Sequence, residues 1–164
     1  MKKHLITVLV ANKSGVLTRV SGLFARRGFN IDSLVVCSTE NPLHSRMSVV
    51  VTADDALIEQ VVKQLDKLHD VVKITILDPE QSVLRELMMI KVKLPAAQRS
   101  ELESAAKIYK AEIIDLSPES AVIELTGKSS KLDAFIELLT PYGIIEMTRT
   151  GLNALHRGKV SIKD

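Results

Sequence analysis

Apolar positions along the chain alternate between two spacings. Leu5 to Val10 is a continuous apolar run rich in β-branched side chains, the pattern of a buried strand. After the polar break Asn12-Lys13-Ser14-Gly15, residues Val16, Leu17, Val20, Leu23 and Phe24 fall at helical spacing, and Gly28 closes that helix in the left-handed conformation glycine adopts freely. Asn30 to Ser38 reads as a second strand, Glu40-Asn41-Pro42 as a turn, and Arg46 to Thr52 as a third strand. Asp54-Asp55 stands where a helix N-cap belongs, ahead of an apolar face of Leu57, Ile58, Val61, Val62, Leu65 and Leu68. A fourth strand covers Val71 to Leu77. The order β-α-β-β-α-β is the split unit of the ferredoxin-like fold.

The order then repeats. Asp78-Pro79-Glu80-Gln81-Ser82 interrupts the pattern like a short linker. Leu84 to Leu94 reads as a strand, and Pro95 opens a helix at its tolerated first turn, with Leu102, Ala105, Ala106 and Tyr109 inward. Strands over Glu112 to Leu116 and Ala121 to Leu125 turn at Ser117-Pro118-Glu119. Ser129 or Ser130 caps a helix that buries Leu132, Phe135, Ile136 and Leu139, and Pro141-Tyr142-Gly143 stops it before a strand from Ile144 to Thr148. The fold class is therefore α+β, with two ferredoxin-like βαββαβ units in tandem. The expected boundaries are 1–78 for the first domain, 79–82 for the linker and 83–164 for the second.

Composition narrows the function. The formal net charge is only +2, and aromatic residues make up 3% of the 164 positions, which speaks against a polyanion-binding surface or a base-stacking platform. A single cysteine excludes an internal disulfide framework and any multi-cysteine metal site, and fits a reduced, cytoplasmic setting. The basic start before Leu5 imitates a secretory leader, but no small-x-small cleavage pattern follows the apolar run, so a strand is expected there. No apolar stretch approaches the ~18 residues of a membrane span.

Catalytic vocabulary is sparse. No two of His4, His44, His69 and His156 are spaced for metal binding, and each is expected at the surface or a strand end. Cys37 falls in a strand pattern and is expected to be buried and inert. No glycine-rich phosphate loop is present. The segment Asn12 to Leu17 is different. An N-cap at Asn12 or Ser14 and a turn at Gly15 would explain it structurally, yet the same atoms suit a ligand. A helix N-terminus leaves backbone N–H groups unpaired and carries partial positive charge, so it accepts a carboxylate. Gly15 clears the approach, Asn12 offers an amide, and Asn30 offers a second.

The ordered set Asn12-Lys13-Ser14-Gly15-Val16-Leu17-Thr18-Arg19-Val20-Ser21-Gly22-Leu23-Phe24, then Arg27-Gly28-Phe29-Asn30-Ile31-Asp32-Ser33-Leu34, resembles the opening of an ACT domain. With Ser45-Arg46-Met47, residues 64–71, residues 85–92, residues 127–135 and Arg149-Thr150-Gly151, the chain resembles the small regulatory subunits of acetolactate synthase (acetohydroxyacid synthase) over essentially its whole length. Cys37 and the tail from Val160 depart from the family pattern.

That resemblance implies a non-catalytic regulatory subunit of branched-chain amino-acid synthesis, its first unit an ACT domain. It would activate a large catalytic subunit and confer feedback inhibition by valine, with leucine or isoleucine as other effectors the pattern cannot separate. Thiamine diphosphate and magnesium would belong to the catalytic partner and no cofactor to this chain. The resemblance further implies a homodimer that holds the effector between subunits, with Asn12, Gly15, Val16 and Leu17 of one subunit facing Asn30 and Ile31 of the other. The rival readings are a free-standing ACT-type amino-acid sensor and a small ferredoxin-like enzyme with a cryptic carboxylate. A second domain argues against the first, and the lack of a convergent polar cluster argues against the second.

Overall fold

The computed structural model describes residues 1–163, which form two compact units. The first consists of residues 1–84 together with 152–163, and the second is 85–151.

In the first unit the order is β1 (Lys2–Ala11), α1 (Val16–Arg26), β2 (Ile31–Ser38), β3 (His44–Ala53), α2 (Asp55–Leu65) and β4 (Val71–Leu77). The strands make one antiparallel sheet in the order β2-β3-β1-β4, the ferredoxin-like arrangement. Alternate strand residues point to opposite faces. Ile6, Val8, Val10, Met47, Val49 and Val51 meet Val16, Val20 and Phe24 of α1 and Ile58, Val61 and Leu65 of α2 in one core. The α1 C-terminus is a Schellman motif: Gly28 has φ 73°, its N–H reaches Ala25 O at 3.0 Å, and Phe29 N–H reaches Phe24 O at 3.0 Å. The rings of Phe24 and Phe29 meet edge to face across it, centroids 6.5 Å apart. On α2 the apolar stripe is narrower than its spacing suggests, since Leu57 is 41% exposed.

The opposite face of this sheet is also covered. Leu5, Val50 and Leu77 pack with Ala154, Leu84 and Leu152. Leu152 N–H donates to Ser33 Oγ at 3.1 Å, and Arg46 donates to Ala154 O at 2.7 Å. Residues 152–163, including β9 (Asn153–His156) and the buried Ile162, therefore act as a strap on the first unit. This differs from the expected boundary at 83–164. The apolar outer face of the first sheet needs cover, and the C-terminal segment supplies it.

The strand β5 (Ser82–Lys93) begins in the first unit and from Arg85 opens the second, which continues with α3 (Arg99–Tyr109), β6 (Glu112–Leu116), β7 (Ser120–Gly127), α4 (Ser129–Leu139) and β8 (Ile144–Arg149). The strand order β6-β7-β5-β8 of the second unit repeats that of the first. Met88, Ile90, Val92, Ile123 and Leu125 pack against Leu102 of α3 and Leu132, Phe135 and Leu139 of α4. Two local expectations change. Pro95 precedes a 3-10 turn over Ala96–Gln98, and α3 begins only at Arg99. The expected linker is a tight turn, with Asp78 Oδ1 accepting from Glu80 N–H at 2.9 Å and Ser82 already within β5.

Neither Ser129 nor Ser130 caps α4. Lys128 holds the cap position, and the Ser129 hydroxyl is drawn instead to Glu86 Oε1. Glu86 is 8% exposed and takes two contacts from Arg149, Nε at 2.8 Å and Nη2 at 2.6 Å to Oε2, while Arg149 Nη1 binds Asp133 at 2.7 Å. The network ties β5, β8 and α4 together. Arg149→Ala would strand a buried carboxylate; with Arg149 a quarter exposed, the expected cost is about 2 kcal/mol, below the ~3–5 kcal/mol of a fully buried pair. Urea unfolding measures it. Glu86→Gln combined with Arg149→Met should recover most of the loss, because no charge is then left unpaired.

Candidate functional site

The loop between β1 and α1 is built as a helix N-terminus with no side-chain cap. Gly15 occupies the N-cap position at φ 80°, ψ −9°, a left-handed conformation that disfavours any side chain. Residues 12–15 are exposed. Asn12 does not cap the helix; its Nδ2 donates to Pro42 O at 2.9 Å, which ties the loop to the β2–β3 connection. Val16 N–H makes only a long contact to Lys13 O at 3.4 Å. The first-turn N–H groups that follow are the donors a helix start leaves to solvent or ligand.

Val16 and Leu17 divide the work. The Val16 side chain is 2% exposed and belongs to the core, so it offers a ligand backbone only. Leu17 is 43% exposed beside the loop and supplies an apolar contact. Above Gly15 lies a guanidinium that sequence reasoning missed. Arg19 Nη1 comes within 3.2 Å of where a Cβ on Gly15 would stand, and Arg19 Nη2 pairs with Asp70 Oδ2 at 2.6 Å. Asp70 sits just before β4, and its carbonyl accepts from Ala11 N–H at 2.8 Å. The spacing of Gly15 to Arg19, one helical turn, is the signal that could have found Arg19; nothing local announces Asp70.

Asn30 and Ile31 are elsewhere in the chain's own fold. Ile31 pairs with Val51, which pairs with His4, whereas Ser38 at the far end of β2 pairs with Ser45, which pairs with Val10. Asn30 and Ile31 thus lie at the His4 end of the sheet and Asn12 at the Val10 end, separated by about six strand positions or ~20 Å. Ile31 is half-buried against the core and Asn30 is exposed. One copy of the chain does not bring the six residues together.

Other candidate groups are structural. Of the two places expected for the histidines, the surface or a strand end, His4 takes the second: it is buried near the start of β1, and its Nε2 lies 3.1 Å from Ala53 O and 3.4 Å from Asp55. Cys37 is exposed, contrary to expectation, because β2 is an edge strand and its register puts Cys37 on the outer face beside Arg46. Among the described residues no group of three or more His, Cys, Asp or Glu is placed to hold a metal, and no helix is long and apolar enough to cross a membrane.

The ferredoxin-like unit with this uncapped, glycine-led helix start is an ACT domain: residues 6–73 match the family described as the AHAS small subunit-like ACT domain. Residues 85–158 match the family described as the small subunit of acetolactate synthase. The chain belongs to the acetolactate synthase small-subunit family. It is 51% identical over 156 residues to the probable acetolactate synthase small subunit of Archaeoglobus fulgidus, covering 95% of this chain and 98% of that one. It is 49% identical over 157 residues to the acetolactate synthase small subunit of Mycobacterium bovis, covering 96% and 94%. The crystal structure of the acetolactate synthase small subunit from Thermotoga maritima superposes with a TM-score of 0.91 at 45% identity, covering 98% of this chain and 100% of that one.

Proposed function

We propose that this chain is the regulatory subunit of an acetolactate synthase, that it activates the large catalytic subunit, and that it confers feedback inhibition by valine bound at the β1–α1 loop. The observation that carries the proposal is the uncapped start of α1 at Gly15, open to solvent, with the Arg19 guanidinium beside it. The effector carboxylate meets the first-turn N–H groups and Arg19; its ammonium meets the amide oxygens of Asn12 and Asn30; its isopropyl group lies against Leu17 and Ile31. Because Asn30 and Ile31 stand ~20 Å from Gly15 within one copy, the effector site forms only between two protomers of a homodimer. Contact with both protomers lets the effector favour one arrangement over another, the differential contact that allosteric control requires.

The energies suffice. Inhibition near ~0.1 mM needs about −5.5 kcal/mol. A few charge-assisted hydrogen bonds at ~1.5–3 kcal/mol each, with one buried isopropyl group, exceed that before association costs are subtracted. The catalytic chemistry, with its thiamine diphosphate and magnesium, lies in the partner, and the chain works in the cytoplasm.

Two measurements test this reading. Calorimetry on the full chain should detect valine binding that weakens as the protein is diluted below its dimerisation constant; binding indifferent to dilution would place the whole site in one protomer. Arg19→Gln should raise the half-inhibiting valine concentration several-fold with only a small loss of melting temperature, since the Arg19–Asp70 pair, half exposed on its arginine side, is worth about 1 kcal/mol to folding. An unchanged inhibition curve would remove Arg19 from the site.

A further inference from the structure

The outer face of the first sheet carries a cation that no carboxylate among the described residues neutralises. Arg46 on β3 stands opposite Leu9 and Cys37 in the strand register. Its guanidinium donates to Ala154 O at 2.7 Å, and among the described residues no carboxylate pairs with it. Burial pulls its pKa below the ordinary arginine value, an effect that the neighbouring Cys37 opposes. The group is still charged wherever the protein is folded, so it is a half-buried cation whose partner among the described residues is a backbone carbonyl and not a carboxylate.

Arg46 lines a cavity of about 260 Å³ together with Leu9, Cys37 and Ile162. Leu9 is 4% and Ile162 5% exposed, so the floor is apolar. Glu40 and Lys163 also reach the cavity, but they pair with each other, so among the described residues lining it no free carboxylate selects an ammonium and no second free cation awaits a dianion. The volume sits just below the ~300–1,000 Å³ of ordinary ligand pockets, too small for a nucleotide. The strap that roofs the cavity is the chain's own C-terminal segment, so the pocket exists without a second protein.

We propose that this cavity binds a small monocarboxylate with a short aliphatic body, its carboxylate on the Arg46 guanidinium and its alkyl part on Leu9 and Ile162. The site lies on the opposite side of the sheet from the helices and is independent of the β1–α1 loop. Its ligand lacks the ammonium that the loop's amides would recognise. Binding there would hold the strap to the sheet, because Ile162 and Arg46 contribute to both.

Cys37 makes the proposal directly measurable, since it is the chain's one cysteine and is exposed at the cavity. Alkylation of Cys37 in the full-length protein by iodoacetamide should slow at least threefold in millimolar isobutyrate. Isobutyramide, the uncharged isostere, should give no protection, and inorganic phosphate should give far less. Arg46→Gln should abolish protection, Arg46→Lys should keep part of it, and Gly15→Asp should leave it unchanged. Equal protection by isobutyrate and isobutyramide would overturn the proposal, as would equal protection by phosphate, full protection of Arg46→Gln, or no protection with no heat of isobutyrate binding in calorimetry. The acid-against-amide comparison uses the unmodified protein, so it decides the matter even if Arg46→Gln fails to fold.

Discussion

Gly15→Asp is expected to shift the valine inhibition curve of the holoenzyme by at least ~10-fold, a penalty of about 1.4 kcal/mol, while activation of the catalytic subunit is retained. The new carboxylate would stand where the effector carboxylate is proposed to sit. Its Cβ would lie 3.2 Å from Arg19 Nη1, so the substitution also supplies Arg19 with an intramolecular anion in competition with the effector. A negative group at a helix start does not itself harm the fold. The backbone does object, because φ at Gly15 is 80° and a side chain in the left-handed region costs roughly 1–2 kcal/mol. Gly15→Ala carries the same strain without the charge and is the control. Inhibition should survive in Gly15→Ala and be lost in Gly15→Asp, at similar melting temperatures. If both variants lose inhibition and activation together, Gly15 is a structural turn only; if the Gly15→Asp curve overlays the parent's, the effector binds elsewhere.

Removing the C-terminal strap should have the largest effect on stability. Truncation after Gly151 uncovers Leu5, Val50 and Leu77 and deletes Ala154 and Ile162, all now buried. At ~1.5–3 kcal/mol for each large apolar side chain returned to water, reduced because the exposed face relaxes, the loss is on the order of 4 kcal/mol. That corresponds to a fall of roughly 10 °C in Tm for a chain of this size. The same reasoning applies to a fragment ending at residue 78, which keeps the helix-side core but leaves the outer sheet face bare. Calorimetric melting and binding of a hydrophobic dye measure the change. A truncated chain that melts with the parent and binds no dye would mean the strap is peripheral.

These predictions rest on features of unequal legibility. The helices were plain because their apolar positions recur at 3.6-residue spacing, and Gly28-Phe29 after Phe24 is a helix stop written in sequence. The strap was not, because its strand-period signal is a single pair, Leu152 and Ala154, too short to announce an element, and Ile162 stands apart from it. A clue lay at the other end of the chain: a strand covered on one face alternates, whereas Leu5 to Val10 is apolar almost throughout, which already calls for burial on both faces. Cys37 misled for a related reason. Its neighbours Val35 and Val36 suggest a central strand, but β2 is an edge and its last residues are exposed. At the candidate site, Gly15 and Asn12 were readable from the loop and Arg19 stands one helical turn beyond Gly15, while its partner Asp70 lies 51 positions away, a contact that no local pattern encodes.

The most direct measurement is a titration of the isolated catalytic subunit with this chain, following acetolactate formation from pyruvate with and without valine. The chain alone should show no turnover. Added to the catalytic subunit it should raise kcat or kcat/KM to a saturating plateau, and valine should then lower the rate in the complex and not in the catalytic subunit alone. A catalytic rate unmoved by saturating chain, or acetolactate formed by the chain by itself, would contradict the regulatory role.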